Sequence, residues 1–167
     1  MKLLRYGLPG EEKPGLLDNN GVLRDLSEVV TDIASETLLP VNIDRLRTID
    51  HASLPEVKGN QRLGPCVGQV GNLICIGLNY SDHCKESGMD IPSEPVIFSK
   101  VTSAICGPDD DVIIPRNAIK TDWEVELAII IVKKASYITE EEALYHVAGY
   151  VLHNDVSERE FQLERSG

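Results

Sequence analysis

Three carboxylates are the residues of this chain best placed to do chemistry together. Glu124-Val125-Glu126 falls in a run of strand-forming residues, where positions two apart point to the same face. The pair would project side by side just ahead of the apolar stretch 127–132. Two like charges held this close resist ionising together unless a cation lies between them. Carboxylate oxygens are hard ligands, which points to Mg²⁺, Mn²⁺ or Ca²⁺ rather than zinc. The third carboxylate, Asp155, follows the apolar run 147–152 in His153-Asn154-Asp155-Val156-Ser157. Spacing alone leaves a plainer reading of each. Glu124 and Glu126 could be the solvated face of an edge strand, and Asp155 a turn residue or helix cap. No cysteine, histidine or glycine-rich phosphate signature competes for the site.

The elements that must position these groups are short and mostly strands. Residues 73–76, 95–98, 112–115 and 123–132 read as strands, and 147–152 as another. Thr139-Glu140-Glu141-Glu142 is a capping box that opens a short helix through His146. Ser157-Glu158-Arg159-Glu160 has the same form and predicts a final helix ending before Ser166-Gly167. Ahead of this region lies a small β-rich module, residues 1–70. Asn19-Asn20-Gly21 predicts a hairpin turn between 15–18 and 22–26. Ser27 reads as a helix cap, followed by Pro40 and a helical pattern at Ile43, Leu46 and Ile49. Residues 52–69, rich in proline and glycine without clear period, are the linker candidate. No internal repeat or low-complexity tract is present.

Composition narrows the classes. With 42% hydrophobic and 26% charged residues the chain is globular rather than disordered. Its longest apolar run is far below the roughly 20 residues of a membrane-spanning helix. The N-terminus lacks the pattern of a secretion signal, which argues for the cytoplasm. A net charge of −11 speaks against a nucleic-acid surface. It leaves room for an anionic small substrate, because a bound cation reverses the local field. Cys66, Cys75, Cys84 and Cys106 include no C-x-x-C pair, so free thiols are expected.

Four ordered segments resemble the fumarylacetoacetate hydrolase family. Gly77-Leu78-Asn79-Tyr80-Ser81-Asp82-His83-Cys84-Lys85-Glu86 is similar to its G-x-N-Y-x-x-H-x-x-E segment, and Pro95-Val96-Ile97-Phe98-Ser99-Lys100 to its P-x-x-F-x-K. Glu124-Val125-Glu126-Leu127 resembles its E-x-E-L strand. Asn154-Asp155-Val156-Ser157-Glu158-Arg159, with Gln162, resembles its N-D-x-[ST]-x-R-x-x-Q. Each segment is weak singly, but the ordered set over residues 72–164 is specific. It implies a mixed β-sandwich roll, mainly β with short helices, with residues 71–167 forming the first part of the catalytic domain. A homodimer is implied, with Mg²⁺, Mn²⁺ or Ca²⁺ held by Glu124, Glu126 and Asp155. His83 and Glu86 become a catalytic dyad, whose i, i+3 spacing lets the carboxylate orient the imidazole. Arg159 and Gln162 would hold a substrate carboxylate, Arg159 as a bidentate fork. Tyr80 joins the substrate contacts, and Lys100 reaches the same anion or extends to solvent.

The chain departs from the family at Val132-Lys133-Lys134, where an I-G-K pattern is common. The family's later G-K-x-x-D-x-x-x-P segment is absent from this stretch, so apolar strand faces are expected to be uncovered. The activity implied is hydrolysis of a carbon–carbon bond in a small 2,4-dioxo acid, the departing enolate being stabilised by the ion. Ureidoglycolate lyase action, and decarboxylation or isomerisation of a 2-oxo dicarboxylic acid, are chemistries of the same family. The other class of reading is a metal-binding remnant without turnover. The presence of both His83 and Glu86 speaks for an enzyme.

Overall fold

Asp18 closes the first hairpin and shows how the module is built. Its carboxylate accepts the backbone N–H groups of Asn20 and Val22, at 2.8 and 3.0 Å, and pairs with Arg24. The Val22 N–H chief among them, these contacts hold its carboxyl below the usual range. Gly21, with φ of +77°, takes the left-handed position the turn needs. The computed structural model describes residues 1–165. In it, β1 (Lys2–Tyr6), β2 (Lys13–Leu17) and β3 (Leu23–Asp25) form an antiparallel sheet in that order.

Behind this sheet Leu16, Leu26, Ile33, Leu38 and Leu46 make one buried cluster. Helix α1 (Pro40–Thr48) supplies Ile43 and Leu46 at helical spacing, and Pro40 opens it with φ already set. No helix starts at Ser27. Its N–H is instead accepted by Asp25 at 2.7 Å, and Val29-Val30-Thr31, stiff and β-branched, continues as irregular turns. The linker candidate folds back onto the sheet: Asp25 donates to Pro55 O, Val57 to Leu23 O, and Leu63 bridges Tyr6.

From residue 73 the chain forms two-stranded pieces. β4 (Leu73–Gly77) leads to helix α2 (Ser81–Ser87), then β5 (Val96–Lys100), antiparallel to β4. β6 (Thr121–Asp122) and β7 (Val125–Ile131) precede helix α3 (Glu140–Ala143), which carries the expected capping box. β8 (Val147–Asn154) and β9 (Ser157–Glu158) return antiparallel to β7 and β6. Residues 112–115 are not a strand. They find no ladder partner among the described residues and lie exposed. Ser157 does not cap a helix either. It sits in β9, Glu158 reaches back to Lys120 N and Thr121 Oγ1, and the last turn, Glu160–Glu164, is π-type. The expected end of that helix at Ser166-Gly167 lies outside the described residues.

The two regions meet at Arg62. Its guanidinium donates to both oxygens of Asp110, at 2.6 and 2.5 Å, and to Glu12 at 3.1 Å. Gly107 allows the approach, since a Cβ there would lie 2.1 Å from the Leu63 carbonyl oxygen. Ile130, Val132 and Ala148 pack against the first module's core. The outer faces stay open, as expected: Val125, Leu127, Ile129, Tyr150 and Leu152 are exposed together, as are Ile74, Ile76 and Ile97.

Candidate active site

One antiparallel ribbon carries most of the site. Val125 pairs with Asn154 and Glu126 with His153, while Asp122 pairs with Ser157 and Thr121 with Glu158. The register is the same on both sides of the short break, and Asp155 N donates to Glu124 O at 2.8 Å. Alternation then puts Asp122, Glu124 and Glu126 on one face of the ribbon. His153, Asp155, Ser157 and Arg159 share that face from the facing strand. The three carboxylates read from the sequence are therefore neighbours on one side of one ribbon.

Each is engaged by a different group. Asp155, 6% exposed, is ion-paired to the ammonium of Lys100 at the end of β5. The same ammonium donates to Val156 O at 3.1 Å and Ser157 Oγ at 3.3 Å. Glu124 Oε1 lies 3.2 Å from Arg159 Nη1, yet it is buried and receives no hydrogen bond. Arg159 is held elsewhere, by the Gln162 side-chain oxygen at 2.9 Å and Asp122 at 3.4 Å. Glu126 lies near Tyr80, and its negative charge is the main reason the phenol is pushed up.

His83 and Glu86 lie on α2, His83 half-buried and Glu86 exposed. Among the described residues no hydrogen bond or ion pair joins them. The helix is anchored by buried Cys84, whose thiol donates to Leu78 O at 3.5 Å, and ends at Gly88 in the left-handed conformation. Leu78, between β4 and α2, has φ of +52°. A branched side chain rarely adopts that conformation, and strain of this kind collects at functional turns.

The sequence reading missed three neighbours of the carboxylates. Cys75 on β4 is half-buried, and burial first and Asp155 second push its thiol up. His153 faces Glu126 across the ladder, and Asp122 holds Arg159. Counting alternate residues on the two strands outward from Glu124 and Asp155 would have found the last two.

Among the described residues no group of three or more His, Cys, Asp or Glu is gathered as a ready metal cage. The reason is visible in the pairings: Asp155 is turned onto Lys100 and Glu124 toward Arg159. The donor set nevertheless fits a hard divalent cation, because it consists of carboxylate oxygens and leaves a buried Glu124 oxygen, ion-paired to Arg159, without a hydrogen bond.

The profile described as fumarylacetoacetate (FAA) hydrolase C-terminal matches residues 72–166. The chain belongs to this family. A relative from Burkholderia cenocepacia, named only provisionally as a hydrolase, is 58% identical over all 167 residues, which span 59% of its length. The fumarylacetoacetate hydrolase of psychrophilic Exiguobacterium antarcticum superposes with a TM-score of 0.71 at 34% identity. That match covers 98% of this chain and 58% of the other. The 2-hydroxyhepta-2,4-diene-1,7-dioate isomerase of Mycobacterium marinum superposes with a TM-score of 0.63 at 26% identity, covering 98% and 57%. The chain thus spans somewhat over half the length of these family members. Its fold is theirs: mainly strands with a few short helices, part of the family's β-sandwich roll. No helix among the described residues is long and apolar enough to cross a membrane.

Proposed function

We propose that the protein is a divalent-metal-dependent hydrolase that cleaves a carbon–carbon bond in a small 2,4-dioxo acid, of the acylpyruvate or diketo sugar acid kind. The observation that carries this reading is the shared face of Glu124, Glu126 and Asp155, with one buried Glu124 oxygen left without a hydrogen bond. Glu124, Glu126 and Asp155 would hold Mg²⁺ or Mn²⁺. When bound, the ion supplies Lewis acidity toward the carboxylate and keto oxygens of a 2-oxo acid.

The chain's own groups supply the rest. Arg159, kept in place by Asp122 and Gln162, presents a planar cation to the substrate's carboxylate. Tyr80 stands at Glu126 with its hydroxyl protonated, a donor for a substrate oxygen. His83 takes a proton from water, which adds to the remote carbonyl; the bond to the adjacent carbon breaks. The enolate that leaves is reprotonated, giving a 2-oxo acid and a carboxylic acid. Glu86 orients His83 once α2 closes on substrate, since catalytic hydrogen bonds often tighten only in the complex. The active protein is a cytoplasmic homodimer in this proposal.

Isomerisation of a 2-oxo dicarboxylic acid is the second reading, and the likeness to the Mycobacterium marinum isomerase favours it. Ultraviolet assays with Mg²⁺ or Mn²⁺ on an acylpyruvate, oxaloacetate, ureidoglycolate and a dienedioate separate the two. Loss of the acylpyruvate enol band with release of a carboxylic acid is expected. Turnover of the dienedioate alone would replace the hydrolase reading by the isomerase one.

A further inference from the structure

Lys100 stands at the carboxylates, yet its ammonium is committed to the protein itself. An ammonium has three N–H donors. Those of Lys100 face an Asp155 oxygen, Val156 O and Ser157 Oγ, all from one turn of the protein itself. None is left for a substrate oxygen. Its partner Asp155 is the most buried of the three carboxylates, and a buried carboxylate without a counter-charge is strongly unfavourable. Arg159 also stands as a counter-charge, 3.2 Å from Glu124 Oε1, but its N–H groups bond Gln162 and Asp122 and leave that oxygen without a hydrogen bond.

We propose that Lys100 is the resident counter-ion of the carboxylate site: it holds Asp155 until a divalent cation displaces it, and so sets affinity for the cation rather than grip on the substrate. This rests on the reading of Glu124, Glu126 and Asp155 as the cation's ligands. A dication and an ammonium cannot share Asp155 without repulsion. Part of the ion's binding free energy is therefore spent moving Lys100 aside. The lysine keeps the metal-free site folded, and weakens the ion's hold.

The test is calorimetric titration of the intact protein with Mn²⁺. Lys100→Gln removes the charge but keeps an N–H donor for Asp155, and it should bind Mn²⁺ about 10- to 100-fold more tightly than the parent. Lys100→Arg keeps the charge and should bind within a few-fold of the parent. Metal-free Lys100→Gln should melt at lower temperature and gain more from Mn²⁺. An unchanged or weaker Mn²⁺ affinity, with a raised KM for the acylpyruvate, would make Lys100 a substrate residue and overturn the inference. Should Lys100→Gln fail to fold, reductive methylation of the parent decides: Lys100 should react faster with Mn²⁺ present, and an equal rate sinks the idea. If the parent binds no Mn²⁺, or Asp155→Asn binds it as well as the parent, the site reading falls first and takes this inference with it.

Discussion

The first 69 residues and the rest of the chain solve opposite problems. In the first region Leu16, Leu26, Ile33 and Leu46 are almost completely enclosed, and among the described residues Cys84 is the only fully buried apolar side chain beyond residue 46. The second region has longer and more apolar strands, yet exposes Val125, Leu127, Ile129, Tyr150 and Leu152 on one face and gives the Glu126 end of the other to charge. Hydrophobic residues stabilise only where something covers them. Stability should therefore reside in the first region and chemistry in the second, with Arg62–Asp110 and the Ile130–Val132 contact joining the two.

The sharpest separation comes from one substitution on each side. His83→Gln should lower turnover by about 10²–10⁴-fold, the usual contribution of a positioned base. Its Mn²⁺ affinity and melting temperature should hardly change; a parallel loss of stability would blur the comparison. Leu16→Ala should do the reverse. A cavity in the closed cluster costs about 2–5 kcal/mol in urea unfolding, with kcat of the remaining folded protein unaltered.

Titration gives two intermediate effects. Tyr6, buried beside Asp25, has its phenol pushed up to about 12. Because the folded value lies above the unfolded one of about 10, the stability it lends is complete below pH 10 and lost as pH rises toward 12. Thermal melts of Tyr6→Phe should lose that alkaline decline. Asp110 is held below the carboxylate range, first by Arg62. Its contribution is complete above about pH 4 and disappears as the solution is acidified further. Asp110→Asn should flatten the acid limb, and an unchanged limb would mean the joint between regions is not electrostatic.

Leu127→Ala should have the smallest effect. At 61% exposure its loss should change the stability of this chain by no more than about 0.5 kcal/mol. A cost matching that of Leu16→Ala would show the outer face to be covered in solution.

The strands, the hairpin at Gly21 and the capping box at Thr139 were legible because each depends on neighbours in sequence. Ser27 and Ser157 misled because a serine followed by an acidic residue caps a helix only if the chain beyond can continue it and no strand claims the serine first. Val29-Val30-Thr31 could not, and Ser157 was claimed by β9 and Lys100. Residues 112–115 had strand chemistry but no partner among the described residues. At the site, the face shared by Glu124, Glu126 and Asp155 followed from motif order and alternation. The commitment of Lys100 to Asp155 did not, because it joins residues 55 apart that only the folded sheets bring together.

The ladder between β7 and β8 shifts register between Ile130 and Ile131, beyond the last site residue. That position divides the strand by its tolerance to insertions and deletions. A residue gained or lost after Ile130 can be absorbed by a bulge already present, or by the exposed loop before Thr139. Losing a single residue between Glu126 and Ile130 would turn the strand over, carrying Glu124 and Glu126 to the apolar side and Val125 to the polar one. In a lineage of such genes, length variation should accumulate on one side of this shift and be purged on the other.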